Sequence, residues 1–170
     1  MHKAKRNARQ DIDLNEETFS SLDVAKMTSV SLRQLQWWDE QGVVSPVQRG
    51  HRRIYHIREV VEVSLITELR RKGISLQKIR KVLKFLKKEL GGDGFLGAVQ
   101  AGGEVHLLTD GQNLYLERDH SNIVDILKNA RQPIIGVCIS DQVERLTAKV
   151  SVKKGMGAER ATAVRGVRAS

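Results

Sequence analysis

With 170 residues, 40% of them apolar, the chain is long enough for one ordinary domain or two small ones with a real core. No apolar run approaches bilayer length, and the basic N-terminal stretch leads into acidic residues rather than a hydrophobic segment, which points to a soluble cytoplasmic protein without a membrane partner. A single cysteine, Cys138, excludes an internal disulfide and a multi-thiolate metal site within one chain.

The net charge of +9 is unevenly placed. Residues 17–90 hold fifteen Lys and Arg against eight Asp and Glu, whereas residues 91–150 hold five against eight. Neutralising phosphates releases counterions and gives affinity that does not depend on base sequence, so a polyanion is the natural partner of the first segment. Residues 1–17 are polar, charged and aperiodic, and read as a flexible arm.

Taken in order, Ser20 or Ser21 caps a short helix running to about Met27. Ser31 and Gln34 form an S-x-x-Q capping box that starts a second helix through Gln41. Its polar side carries Arg33, Gln34, Gln36 and Trp37, and Leu32, Leu35 and Trp38 are expected to face inward. Gly42 stops the helix, and Val43 to Pro46 lead to a hairpin whose turn lies near Arg49-Gly50-His51. On the returning strand, alternation sends Arg53 and Tyr55 to one face and Arg52 and Ile54 to the other.

A third helix spans His56 to Lys72, with Val60, Val63, Leu65, Ile66 and Leu69 as its buried stripe and Arg70, Arg71 and Lys72 complementing its C-terminal dipole. After Gly73, Ser75 caps a fourth helix whose apolar positions run from Leu76 to Leu90. The cluster Gly91-Gly92-Asp93-Gly94 then marks a boundary.

Residues 91–150 read as a small α/β module. Phe95 to Gln100 is expected as a short helix. Val105–Thr109 and Asn113–Glu117 are strands around an Asp110-Gly111 turn. Ser121 or Asn122 begins a helix through about Asn129, Pro133 opens a buried strand in which Cys138 plays a small apolar role, and Ser140 caps a last helix from Asp141 to Lys149. Residues 151–170 read as a basic disordered tail. The fold class is therefore α+β: an N-terminal winged helix-turn-helix over 18–90, with four helices and a β-hairpin wing, followed by the α/β module.

Four ordered segments resemble the MerR-type transcriptional regulators of bacteria. Ser21 to Ser31 is similar to that family's first helix and turn, and Leu35-Gln-Trp-Trp-Asp-Glu-Gln-Gly-Val-Val44 to its second helix and hydrophobic exit. Arg53-Ile-Tyr55 matches the Arg-x-Tyr of its wing, and Gly73 to Ile79 the break before its fourth helix. The chain departs from the pattern at Ser29, usually glycine, at Gln36, usually arginine, and at Trp37-Trp38, usually two tyrosines. It also departs at residues 91–94, where glycines interrupt the place at which members usually continue into a long dimerisation helix.

The residues and the resemblance point to double-stranded DNA. Arg33 and Gln36 are the candidates for base edges, with Gln34 beside them, and Trp37 either donates its indole N–H to a phosphate or packs in the core. Arg52, Arg53 and Tyr55 are the candidates for phosphates or a minor groove, and His51 and Lys72 complete the DNA-binding set. The resemblance implies a homodimer on promoter DNA that distorts its operator so that RNA polymerase engages, in a cytoplasmic, nucleoid-associated setting. The second module is expected to dimerise or to receive a small-molecule or protein effector. His106 and His120, with Asp110 and Asp119, are read as the polar face of a hairpin rather than a metal site, and no cofactor is expected. No nucleophile, base and acid cluster suggests an enzyme. An excisionase-like or antitoxin-like DNA-bending autorepressor is the alternative.

Overall fold

The computed structural model describes residues 16–91, 97 and 102–166, with side chains in the last helix through Met156. Most of the expected arm, the glycine cluster after Gly91 and, but for one position, the expected helix at 95–100 lie outside the described residues.

The chain starts with a three-residue strand, β1 (Thr18–Ser20), and α1 (Ser21–Thr28). Ser20 caps α1: its hydroxyl accepts from the Asp23 amide at 3.2 Å, and the Asp23 carboxylate accepts from the Ser20 amide at 3.0 Å. Two orphan donors of the first turn are satisfied reciprocally. Ser29 closes α1 at φ 59, a left-handed conformation that side chains rarely adopt. Ser31 then caps α2 (Leu32–Glu40), accepting from the Gln34 amide at 3.1 Å, without the reciprocal bond from Gln34 that a capping box requires.

Leu35 and Trp38 enter the core from α2, but Leu32 does not and stands half exposed. Gly42, at φ 64, ends this segment, and the Val43 amide bonds back to the Trp38 carbonyl. Strands β2 (Val47–Arg49) and β3 (Arg52–His56) form the hairpin, and β1 adds a third strand, giving an antiparallel sheet of order β1-β3-β2. Phe19 and Tyr55 face each other across β1 and β3, and both are buried.

Helices α3 (Ile57–Arg71) and α4 (Leu76–Leu90) follow. The expected stripe of α3 is buried throughout, and so are Ile79, Val82, Leu83 and Leu86 of α4. Glu62 is buried with them, its Oε1 3.6 Å from Arg58 Nε and 3.4 Å from Lys87 Nζ. Burial pushes its carboxyl above the ordinary range, with Lys87 and Arg58 opposing the shift.

The second sheet is built from β4 (His106–Thr109), β5 (Leu114–Glu117) and β6 (Ile135–Cys138), all antiparallel, in the order β5-β4-β6. Asp110 builds the hairpin turn. Its Oδ1 accepts from the Asn113 amide at 2.7 Å and from Gln112 at 2.8 Å, and these bonds pull its carboxyl down to about 2. Cys138 is only partly buried, at the end of β6. Between β5 and β6, α5 (His120–Asn129) buries none of its side chains.

The last helix, α6 (Ile139–Gly166), corrects the sequence reading. What was expected as a disordered tail from residue 151 continues the helix to Gly166, 28 residues in all. Its first half packs on α3, and Ser64 Oγ donates to Gln142 Oε1 at 2.8 Å. Lys149 Nζ reaches the Met27 carbonyl at 2.5 Å, Lys153 pairs with Asp23 and Lys154 with Glu17, so α6 also latches α1. Val143, Leu146 and Val150 join Val105, Leu107 and the α3 stripe in one continuous core. No helix among the described residues is long and apolar enough to cross a membrane.

Candidate nucleic-acid interface

The exposed surface of α2 carries Arg33, Gln36 and Trp37, the last 43% exposed, while Gln34 is half-buried. Their spacing follows from helical geometry: residues 33, 36, 37 and 40 share one side, and Leu35 and Trp38 point into the core. Gln36 Nε2 donates to Glu40 Oε1 at 2.7 Å, one turn along that side. Arg33 and Trp37 also rim an open groove of about 620 Å³ bounded by Val30, Thr67, Arg70 and Leu76.

Asp39 joins this helix to the wing. Its Oδ2 accepts from Arg53 Nε at 2.5 Å and from Gln48 Nε2 at 3.0 Å. Charge-assisted bonds of this kind are the strong ones, and here both strands of the hairpin are tied to one carboxylate on α2. The bond it donates to Asp39 holds the Arg53 guanidinium above its ordinary range, so this side chain keeps its charge.

That bracket revises two expectations. Alternation places Arg53 and Tyr55 on one face as expected, but it is the inward face. Tyr55 is 1% exposed, packed opposite Phe19 and out of reach of any polyanion. Arg53 is partly buried, its side chain 27% exposed, and its Nε is engaged by Asp39, so it ties β3 to α2. The two residues that best match the wing pattern thus face inward, one buried against Phe19 and the other bonded to Asp39.

The outward face carries the free charge. Arg49 and Arg52 are directly paired across the hairpin, both exposed, with Val47 and Ile54 as the next pair on the same face. Like charges directly opposite each other destabilise a strand pair. No acidic group among the described residues forms an ion pair with Arg33, Arg49 or Arg52. His51 lies exposed at the wing tip beside them. Lys72 lies elsewhere, at the end of α3, and its Nζ is 3.5 Å from Glu68 Oε1, an exposed pair of little energetic weight.

Sequence reasoning missed Arg49, Gln48 and Asp39. Arg49 carried a legible signal, since two residues bracketing a two-residue turn must share a face. Asp39 carried none, because its partners come from 9 and 14 residues away. Arg80, whose Nη2 donates to the Gln41 carbonyl at 2.8 Å, ties α4 to the end of α2 in the same unsignalled way.

Residues 19–86 match the family of MerR HTH family regulatory proteins. Over 131 residues the chain is 24% identical to an uncharacterized HTH-type transcriptional regulator of Mycobacterium bovis and to two of Mycobacterium tuberculosis strains, an alignment covering 74% of this chain and 54% of each relative. The chain thus spans about half the length of the curated relatives it matches.

Proposed function

Because residues 19–86 are a MerR-type helix-turn-helix domain, we propose that the chain is a sequence-specific double-stranded DNA-binding transcriptional regulator acting at promoters. The observation that carries this reading is the outward pair Arg49 and Arg52 on a wing bracketed by Asp39 to the exposed side of α2. In this reading Arg33 and Gln36, flanked by Gln34 and Trp37, meet base edges in a major groove. Arg49, Arg52 and His51 hold flanking backbone, with Lys72 as an outlying contact. Arg53 positions the wing, and Tyr55 supports it from the core.

A homodimer on an inverted repeat completes the reading, each copy taking one half-site. The apolar side of α4 is already buried within the chain, which leaves the second sheet with α5 and the outer part of α6, where Val152 and Met156 are exposed, as the surfaces for pairing or for an effector. Distortion of the operator, to the benefit of RNA polymerase, follows the family pattern.

Binding-site selection with footprinting, combined with anisotropy titrations across salt, tests this. The expected result is a symmetric site of two half-sites and an affinity that falls steeply with ionic strength. Salt-independent or undetectable binding to every selected duplex would overturn the proposal.

A further inference from the structure

Away from the arginine-bearing surface, the second sheet gathers two imidazoles and a carboxylate. Glu104 precedes β4, His106 is its first residue, and His120 opens α5. Glu104 Oε2 lies 3.1 Å from His106 Nε2 and 3.2 Å from His120 Nε2, and the three donor atoms all fall within 4.8 Å of one another. The rings meet edge to face at 64°, with centroids 6.0 Å apart. Asp110 and Asp119, the acidic residues that the sequence set beside these histidines, are committed elsewhere, one to the hairpin turn and the other to the cap of α5.

The two distances from Glu104 are close to those between neighbouring ligands of a small ion, and the two imidazole nitrogens lie within 4.8 Å of each other. Bonds of about 2.0–2.2 Å in a tetrahedron put neighbouring donors about 3.3 Å apart. Hydrogen bonding alone gives this cluster little reason to exist: the His120 side chain is 75% exposed and Glu104 58%, and exposed pairs contribute little. Helix α5 buries no side chain and leaves Val124 and Leu127 about half exposed, and Asn122 Nδ2 ties it to the sheet by donating to Glu117 Oε2 at 3.2 Å. Glu117, the partner of His106 in the ladder with β5, adds negative charge on the same face. Cys138, its partner on β6, shares that face but is not among the gathered donors.

We propose that Glu104, His106 and His120 form a three-ligand site for a first-row divalent transition ion of the zinc class, with its remaining coordination open to solvent. Two imidazoles and one carboxylate suit such an ion and not calcium or magnesium, which take oxygen ligands. A bound ion pins the first turn of α5 to the start of β4. The site draws on β4 and α5 and on none of the residues proposed to meet DNA, and it holds or fails independently of that reading.

Zinc chloride alone, titrated into the full chain against a chromophoric chelator, tests it. One equivalent is expected to bind, with affinity reduced at least tenfold by His120→Ala and by Glu104→Gln. Both positions are solvent-exposed, so these variants keep the fold, which far-UV circular dichroism verifies; His106→Ala, in β4, is a secondary variant. His51→Ala and Cys138→Ser are expected to bind as wild type. Zinc should also slow amide exchange in α5 of wild type and not of His120→Ala. Unsaturable zinc uptake, affinity unchanged in both exposed-ligand variants, loss in Cys138→Ser, or no protection of α5 would each overturn the proposal.

Discussion

Arg49 and Arg52 repel each other across a hairpin that gains nothing from holding them together unless an anion arrives. Replacing Arg52 with alanine is therefore expected to weaken DNA binding uniformly across sequences and to lower the salt slope by about one, whereas Arg33→Ala costs roughly 1–3 kcal/mol on the preferred site and relaxes base preference there. Anisotropy titrations on preferred and scrambled duplexes separate the two patterns. Asp39→Asn acts differently, because it loosens both Arg53 and Gln48 at once. A stability loss of about 1–2 kcal/mol in urea is expected, together with weakened DNA binding, since a charge-assisted bracket is lost while every outward arginine remains. At this scale the sequence showed which residues share a face, through strand alternation. It did not show which face looks inward, because that depends on Phe19 in a three-residue strand with no periodicity of its own.

Among the elements, caps and stops were the most legible features: Ser20, Ser31, Ser75, Gly42 and Gly73 act locally, and local chemistry is what a sequence displays. The turn after α1 holds Ser29 at φ 59 where the resembling family usually has glycine. Ser29→Gly is expected to raise stability by about 0.5–1 kcal/mol, the relief of left-handed strain less the added freedom of the unfolded chain. A higher melting temperature with unchanged DNA affinity would confirm it. Between α3 and α4, Glu62 is a buried carboxylate between Arg58 and Lys87. Its folded pKa lies above the ordinary 4.5, so the folded state holds the proton more tightly and stability falls as pH rises from there through the raised value. Glu62→Gln should flatten that fall in denaturation curves collected from pH 4.5 upward.

For the whole molecule, the sequence divided the chain in two by its charge balance and its glycines, and the structure joins the halves through α6. That helix escaped notice beyond Lys149 because its second half lacks an apolar stripe, and its lysines answer to α1 more than one hundred residues away. Leu146 is 2% exposed in the shared core. Leu146→Ala should cost about 2–5 kcal/mol. In wild type and variant alike, tryptophan fluorescence, which reports only on α2, and amide exchange in β4 should follow the same unfolding transition. Two separated transitions would show that the halves melt independently.

A fragment cut after Gly91 would keep every residue of the arginine-bearing surface, yet it would open to water the seam on α3 that Val143, Leu146 and Val150 cover, and it would leave the Met27 carbonyl without its lysine. Transplanting the reading head onto another scaffold thus calls for carrying α6 along, or for supplying it as a separate peptide that clips back into the seam.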